Sequence, residues 1–135
     1  MTDITQISAA ALSYLGDAVL ELLTREKLVK SGVGDAGVLN RMARDYVTAA
    51  SQSAAYDRIA GSLTEEEERY FRRGRNHTAP VPKSASVAQY RRATGMEALF
   101  AYLWLTGQSG RAAELFDAAF PAATAEEGQG IKETK

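Results

Sequence analysis

Two carboxylates stand where a folding chain has reason to avoid them. Residues 14–23 read YLGDAVLELL, with Asp17 directly after a glycine in an apolar-looking run. Residues 96–105 read MEALFAYLWL, in which Glu97 is the single charged group. An unpaired charge in apolar surroundings costs several kcal/mol, so each acid must reach water, find a partner or serve the folded protein. Helical periodicity sets Glu97 on the side of Ala93, Phe100, Ala101 and Trp104, within a helix apolar all round, the pattern of a central buried element. Pairing with Arg44, Arg91 or Arg92 is one solution, and binding a cation is the other. Asp17 falls opposite the stripe Leu12, Leu15, Val19, Leu22 and Leu23, together with Ser13 and Glu21, which equally suits a solvent face. Small neighbours such as Ala10 and Ala18 permit another helix or subunit to approach it.

The residue inventory narrows the chemistry. The chain has no cysteine and one histidine, His77, which excludes thiolate zinc sites, thiol nucleophiles and disulfides. Carboxylates alone favour a hard cation such as Mg²⁺, which takes one or two of them and completes its shell with water and phosphate oxygens. The net charge is only −1, but the segment from Arg69 to Arg92 holds seven basic residues and no acidic one. Such a patch on an acidic background points to an anionic partner. Two acids beside a basic segment suit metal-assisted phosphodiester hydrolysis on a nucleic-acid backbone.

The elements that must position these groups read as helices. Ala, Leu, Glu and Arg dominate with little β-type alternation, so the 135 residues predict one all-α domain over 1–120 and a disordered tail over 121–135. A first helix is predicted from Ile4 to Lys30, stopped by Ser31-Gly32-Val33-Gly34. A second, with a bend, starts near Asp35 and ends around Tyr56 to Gly61. Thr64-Glu65-Glu66-Glu67 is a capping-box start for a third, which stops at Gly74. The prolines of 75–86 exclude a regular helix there; a long apolar helix follows over Val87–Thr106, and a short one over Arg111–Phe120. The absence of a secretion signal or membrane-length apolar run predicts a cytoplasmic protein.

At this point the motifs acquire a family likeness. ALSYLGDAVLELL resembles the signature helix of the ribonuclease III endonucleases, and RRGRN, PKSA and YRRATGMEALFAYLWL are similar to the compact Mini-ribonuclease III branch, in order and at suitable spacing over residues 8–118. The resemblance implies a homodimeric all-α endonuclease cutting double-stranded RNA with Mg²⁺ and trimming precursor 23S ribosomal RNA, with a large-subunit ribosomal protein as an assisting partner. It implies that Asp17 and Glu97 are the catalytic, metal-binding residues. Larger family members carry further acids where this chain has Ser13 and Thr94, a departure shared by the compact branch.

Other roles follow at residue level. Arg72, Arg73, Arg75, Asn76, Lys83 and Arg91 are the expected RNA-binding groups, since duplex RNA is read through shape, phosphate and 2′-hydroxyl contacts. Glu21 is expected to pair with Arg25 one turn on. Tyr14 and Leu15 are candidates for a subunit interface, with Gly16 allowing close backbone approach there. Trp104, Phe100, Tyr102 and Phe71 read as core or dimer packing. The competing functions are a catalytically silent RNA-binding module, a helical Mg²⁺-dependent nucleotide pyrophosphohydrolase, and a structural adaptor. The pyrophosphohydrolase calls for facing ExxE clusters, whereas the one ExxE here, Glu65–Glu68, lies in a capping segment.

Overall fold

A computed structural model describes residues 3–77, 80 and 86–121. Among them the chain forms six α-helices, two 3-10 turns and no strand, so the all-α expectation holds. The predicted first helix is two pieces. A 3-10 turn, Ile4–Gln6, precedes α1, Ala9–Lys30, because Ser8 adopts extended backbone and its hydroxyl caps the Ala11 N–H at 3.1 Å. Gly32, at φ +96°, turns the chain out of α1 as expected.

Helix α2, Ala36–Val47, begins where Asp35 caps Val38 N–H at 3.0 Å. The bend expected in this helix is a full break at Thr48, which starts a separate helix, α3 (Ala49–Ile59). Thr48 is extended, and its hydroxyl accepts from Ser51 N–H at 3.1 Å. The buried Gln52 amide donates to the Tyr46 carbonyl at 2.7 Å, satisfying an acceptor that the break would otherwise orphan.

Helix α4, Glu65–Arg75, opens with the expected capping box, Thr64 and Glu67 exchanging bonds of 2.9 and 3.1 Å. It continues through Gly74 rather than stopping there. Helix α5 is Val87–Leu105; after Gly107, at φ +73°, α6 runs Ser109–Ala119, two residues earlier than predicted.

Helix α5 is the central element, packed chiefly on α4 and α1 and then on α3 and α6. Met96, Leu99, Phe100 and Leu103 are fully buried in it. Glycines set its distance from both main neighbours. A Cβ on Gly16 of α1 would lie 1.7 Å from the Glu97 carbonyl oxygen, and one on Gly74 of α4 would lie 2.5 Å from that of Thr94. A Cβ on Gly95 would meet the Phe71 ring at 2.6 Å, and that ring stacks on Tyr56 of α3 with centroids 3.8 Å apart. Gly74 is thus a packing residue rather than a helix stop. Likewise, the close approach expected of Gly16 at a subunit interface occurs within the chain. Because α5 covers the Gly16 side of α1, the buried stripe is Leu12, Gly16, Val19, Leu20 and Leu23, and Leu22 turns outward.

One buried ion pair ties the α4 start to α6. Arg111 grips Glu67 with two bonds of 2.8 and 2.9 Å and donates to the Ser62 carbonyl at 2.8 Å, while also meeting Glu114. Glu67 is 3% exposed, and Arg111 together with the Thr64 cap holds its carboxyl below the usual carboxylate range.

The glycine contacts make a direct prediction. Gly16→Ala must push α1 off α5 and is expected to destabilise the protein by about 3 kcal/mol or more in urea unfolding. Gly34→Ala, with nothing within 4 Å of the new Cβ, should stay within about 0.5 kcal/mol of the parent.

Candidate active site

Where α1 crosses α5, Gly16 lets the two backbones touch, and the side chains on either side of the contact are Ser13, Asp17 and Glu97. The Ser13 hydroxyl donates to Glu97 Oε1 at 2.5 Å. Burial pushes the Glu97 carboxyl up to about 7, the Ser13 bond opposes this, and the neighbouring Asp17 charge raises it further. The pairing of Glu97 with an arginine, considered from the sequence, does not form. Arg92 binds Asp57 at 2.8 Å and lies over the Tyr56 ring, while Arg44 and Arg91 are exposed. The two acids singled out separately in the sequence therefore face each other, one exposed and one largely buried.

The donors at this point are carboxylate and hydroxyl oxygens. Among the described residues no three His, Cys, Asp or Glu side chains cluster as a metal cage, so the protein offers two carboxylates and leaves the remaining positions to water or ligand. That donor set fits Mg²⁺, which prefers hard oxygen ligands and retains water. Thr94 takes no part: it is buried and its hydroxyl donates to the Tyr90 carbonyl at 3.0 Å. Glu21 pairs with Arg25 at 2.6 Å, as expected from their spacing.

The basic residues divide by what they touch. Arg73 donates to the Ile7 carbonyl at 2.5 Å and covers the Tyr70 ring, fastening α4 to the entry of α1. Arg69 pairs with Glu66 at 2.9 Å. Half-buried Arg75 bonds the side chain of exposed Asn76 at 3.3 Å. Arg72 and Arg91 are exposed, and neither has an ionic partner among the described residues. Lys83 lies outside the described residues, and His77 bonds through its backbone to the Gly74 carbonyl. Since Gly74 rests on Thr94 and Ala98, the basic end of α4 is packed on the same turn of α5 that carries Glu97.

Phe71 and Phe100 are core, as read from the sequence, whereas Trp104 is 40% exposed. Leu15 packs against both core clusters rather than facing outward; Tyr14, by contrast, is 85% exposed. Sequence reasoning missed the contact from Ser13 to Glu97, whose only signal was a small hydroxyl residue one turn before Asp17.

The fold is an all-α domain whose central helix carries a desolvated acid, opposed by a second acid on a neighbouring helix. The ribonuclease III domain profile matches residues 10–108. Mini-ribonuclease 3 of Enterococcus faecalis is 45% identical over 87% of this chain and 91% of its own, and that of Symbiobacterium thermophilum is 45% identical over 80% and 84%. A Fusobacterium nucleatum protein solved by crystallography superposes with a TM-score of 0.80 at 28% identity, covering 90% of this chain and 98% of that one. The chain belongs to the ribonuclease III family, in its compact Mini-ribonuclease 3 branch, and is an endoribonuclease.

The raised Glu97 carboxyl has a consequence for stability. Between its ordinary value of 4.5 and about 7 the folded chain keeps a proton that the unfolded chain releases. Stability in the absence of divalent cations therefore falls as pH rises through that window, by roughly 3 kcal/mol in all. Urea unfolding in a chelator at pH 5 and pH 8 should show this fall in the parent beyond that in Glu97→Gln; a parent-to-variant difference that does not change with pH contradicts the assignment.

Proposed function

We propose that this endoribonuclease cuts double-stranded RNA with Mg²⁺ held by Asp17 and Glu97, acting in the cytoplasm as a homodimer on the base-paired ends of precursor 23S ribosomal RNA. Residues 1–120 form the catalytic unit. The observation that carries the reading is the confrontation of Glu97 with Asp17 across a glycine contact, without a cationic side chain among the described residues to balance them. Two acids so placed raise each other's energy unless a proton or a cation joins them. Magnesium, when bound, supplies Lewis acidity to activate water and stabilise the departing oxygen. Glu97, in its ionised form, and Asp17 would hold the cation, and exposed Asp17 opens the site to a phosphodiester.

Arg72, Arg91 and the nitrogens of Arg73 and Arg75 not used within the fold, with Asn76 and Lys83, serve the RNA backbone. A single domain with so few phosphate contacts binds modestly and in a salt-sensitive way. Dimerisation adds contacts along one duplex and sets one site against each strand. The stripe of Tyr14 (85% exposed), Ala18, Leu22 (52%) and Val29 (60%) on α1 supports pairing through a surface beside Asp17. The relatives' name, Mini-ribonuclease 3, supports the duplex RNA substrate. Choice among duplexes then rests on RNA shape, with a ribosomal protein on the precursor as an aid. Among the described residues no helix is long and apolar enough to cross a membrane, which accords with the proposed compartment.

Incubation with base-paired RNA tests the proposal. The parent should cleave only with Mg²⁺, and Asp17→Asn or Glu97→Gln should each lower the rate by more than about 100-fold while still binding the duplex. Cleavage retained in both variants refutes the assignment, and binding without cleavage by the parent indicates a silent module. For the RNA-binding groups, changing Arg72 and Arg91 together to Gln should reduce the log–log salt slope of duplex binding by about 2. An unchanged slope places the RNA elsewhere.

A further inference from the structure

Side-chain hydroxyls inside these helices have a default partner. Thr24 donates to the Leu20 carbonyl at 2.8 Å and Thr94 to the Tyr90 carbonyl at 3.0 Å, each four residues back in its own helix. Ser13, in the body of α1, instead reaches another helix and donates to Glu97 Oε1 at 2.5 Å. Its neighbour three residues on, Gly16, is pressed against the Glu97 backbone, so α1 holds both the main chain and the carboxylate of the same residue. The Ser13 bond thus engages Glu97 Oε1 from the α1 side. Asp17, one turn beyond Ser13, repels the ionised Glu97 side chain, and a flexible glutamate without a restraint would swing away from it.

We infer that Ser13 is the positioning residue for Glu97: its hydroxyl, donated across the α1–α5 contact, fixes the carboxylate opposite Asp17 so that the two acids meet a divalent cation together. Ser13 adds no charge, so the pair's two negative charges match a single divalent ion. The inference rests on the reading of Asp17 and Glu97 as the metal site. It differs from a merely structural role, because the hydroxyl is not needed to bring the helices together; Gly16 does that.

Mn²⁺ binding to the RNA-free protein, followed by loss of the free-ion electron paramagnetic resonance signal, provides the test. Ser13→Ala should weaken Mn²⁺ binding about tenfold and raise the Mg²⁺ concentration for half-maximal cleavage by a similar factor. Ser13→Thr, which retains the hydroxyl, should restore affinity to within about threefold of the parent. Melting temperatures in chelator identify a variant that has simply lost its fold, and the comparison is then made with Ser13→Thr against Ser13→Cys, whose weaker donor should bind Mn²⁺ less tightly. Parent affinity in Ser13→Ala, or equal weakness in Ser13→Ala and Ser13→Thr, overturns the inference. Asp17→Asn separates the two levels. If it abolishes Mn²⁺ binding while Ser13→Ala does not alter it, only the role of Ser13 fails. If Asp17→Asn binds as the parent does, the metal site itself fails, and the role of Ser13 with it.

Discussion

At the crossing of α1 and α5, Gly16 leaves no room for even a methyl group above the Glu97 carbonyl. That contact sets the separation of the two helices, and the separation sets everything at the site. With the backbones this close, side chains one turn and one residue from the glycine, Ser13 and Asp17, fall beside the Glu97 carboxyl. A wider crossing would admit water between the acids and let Glu97 relax into solvent. On its other flank α5 is held by the same device, Gly74 and Gly95 letting α4 approach until Phe71 lies on the glycine. The central helix is gripped from both sides at the level of Glu97.

Such a grip allows an unfavourable group to persist. Burying a carboxylate against a second one opposes folding, and the remaining core must offset it. The fully buried Met96, Leu99, Phe100 and Leu103 surround Glu97 in sequence on α5, and the Glu67–Arg111 pair fastens the α4 start to α6. The destabilised acid suits the proposed cation site, because a cation would relieve both the repulsion and the need for a proton. On that proposal, stability is lowered locally where binding would restore it. The same logic explains the contrast with Glu67, an acid buried more deeply but matched by arginine, and therefore structural.

Several short-range signals were legible in the sequence. The Thr64 capping box and the glycine exit at Gly32 are local hydrogen-bond and backbone effects, and the chain adopts them as read. Errors arose where one residue type serves two purposes. Thr48 is tolerated inside helices yet here caps one, so a single predicted helix became α2 and α3. Gly74 resembles a stop but is a packing surface. For the site, the anomaly of each acid was visible from its own helix. Their mutual partner was not: Ser13 and Glu97 are 84 residues apart, and periodicity gives the face of a helix without the register at which two helices cross. For that reason the sequence alone points to arginines, the generic partners of a buried acid, and not to Ser13. Likewise, the basic segment was legible as charge, while the use of Arg73 and Arg92 within the fold was not.

The central claim is that Asp17 and Glu97 form one cation site created by the α1–α5 crossing. Anomalous diffraction from crystals soaked in Mn²⁺ tests it most directly. The account predicts a strong peak within coordinating distance of both carboxylates, with Ser13 still bonded to Glu97. A peak at other residues, or none near the pair at Mn²⁺ concentrations that support cleavage, would contradict it.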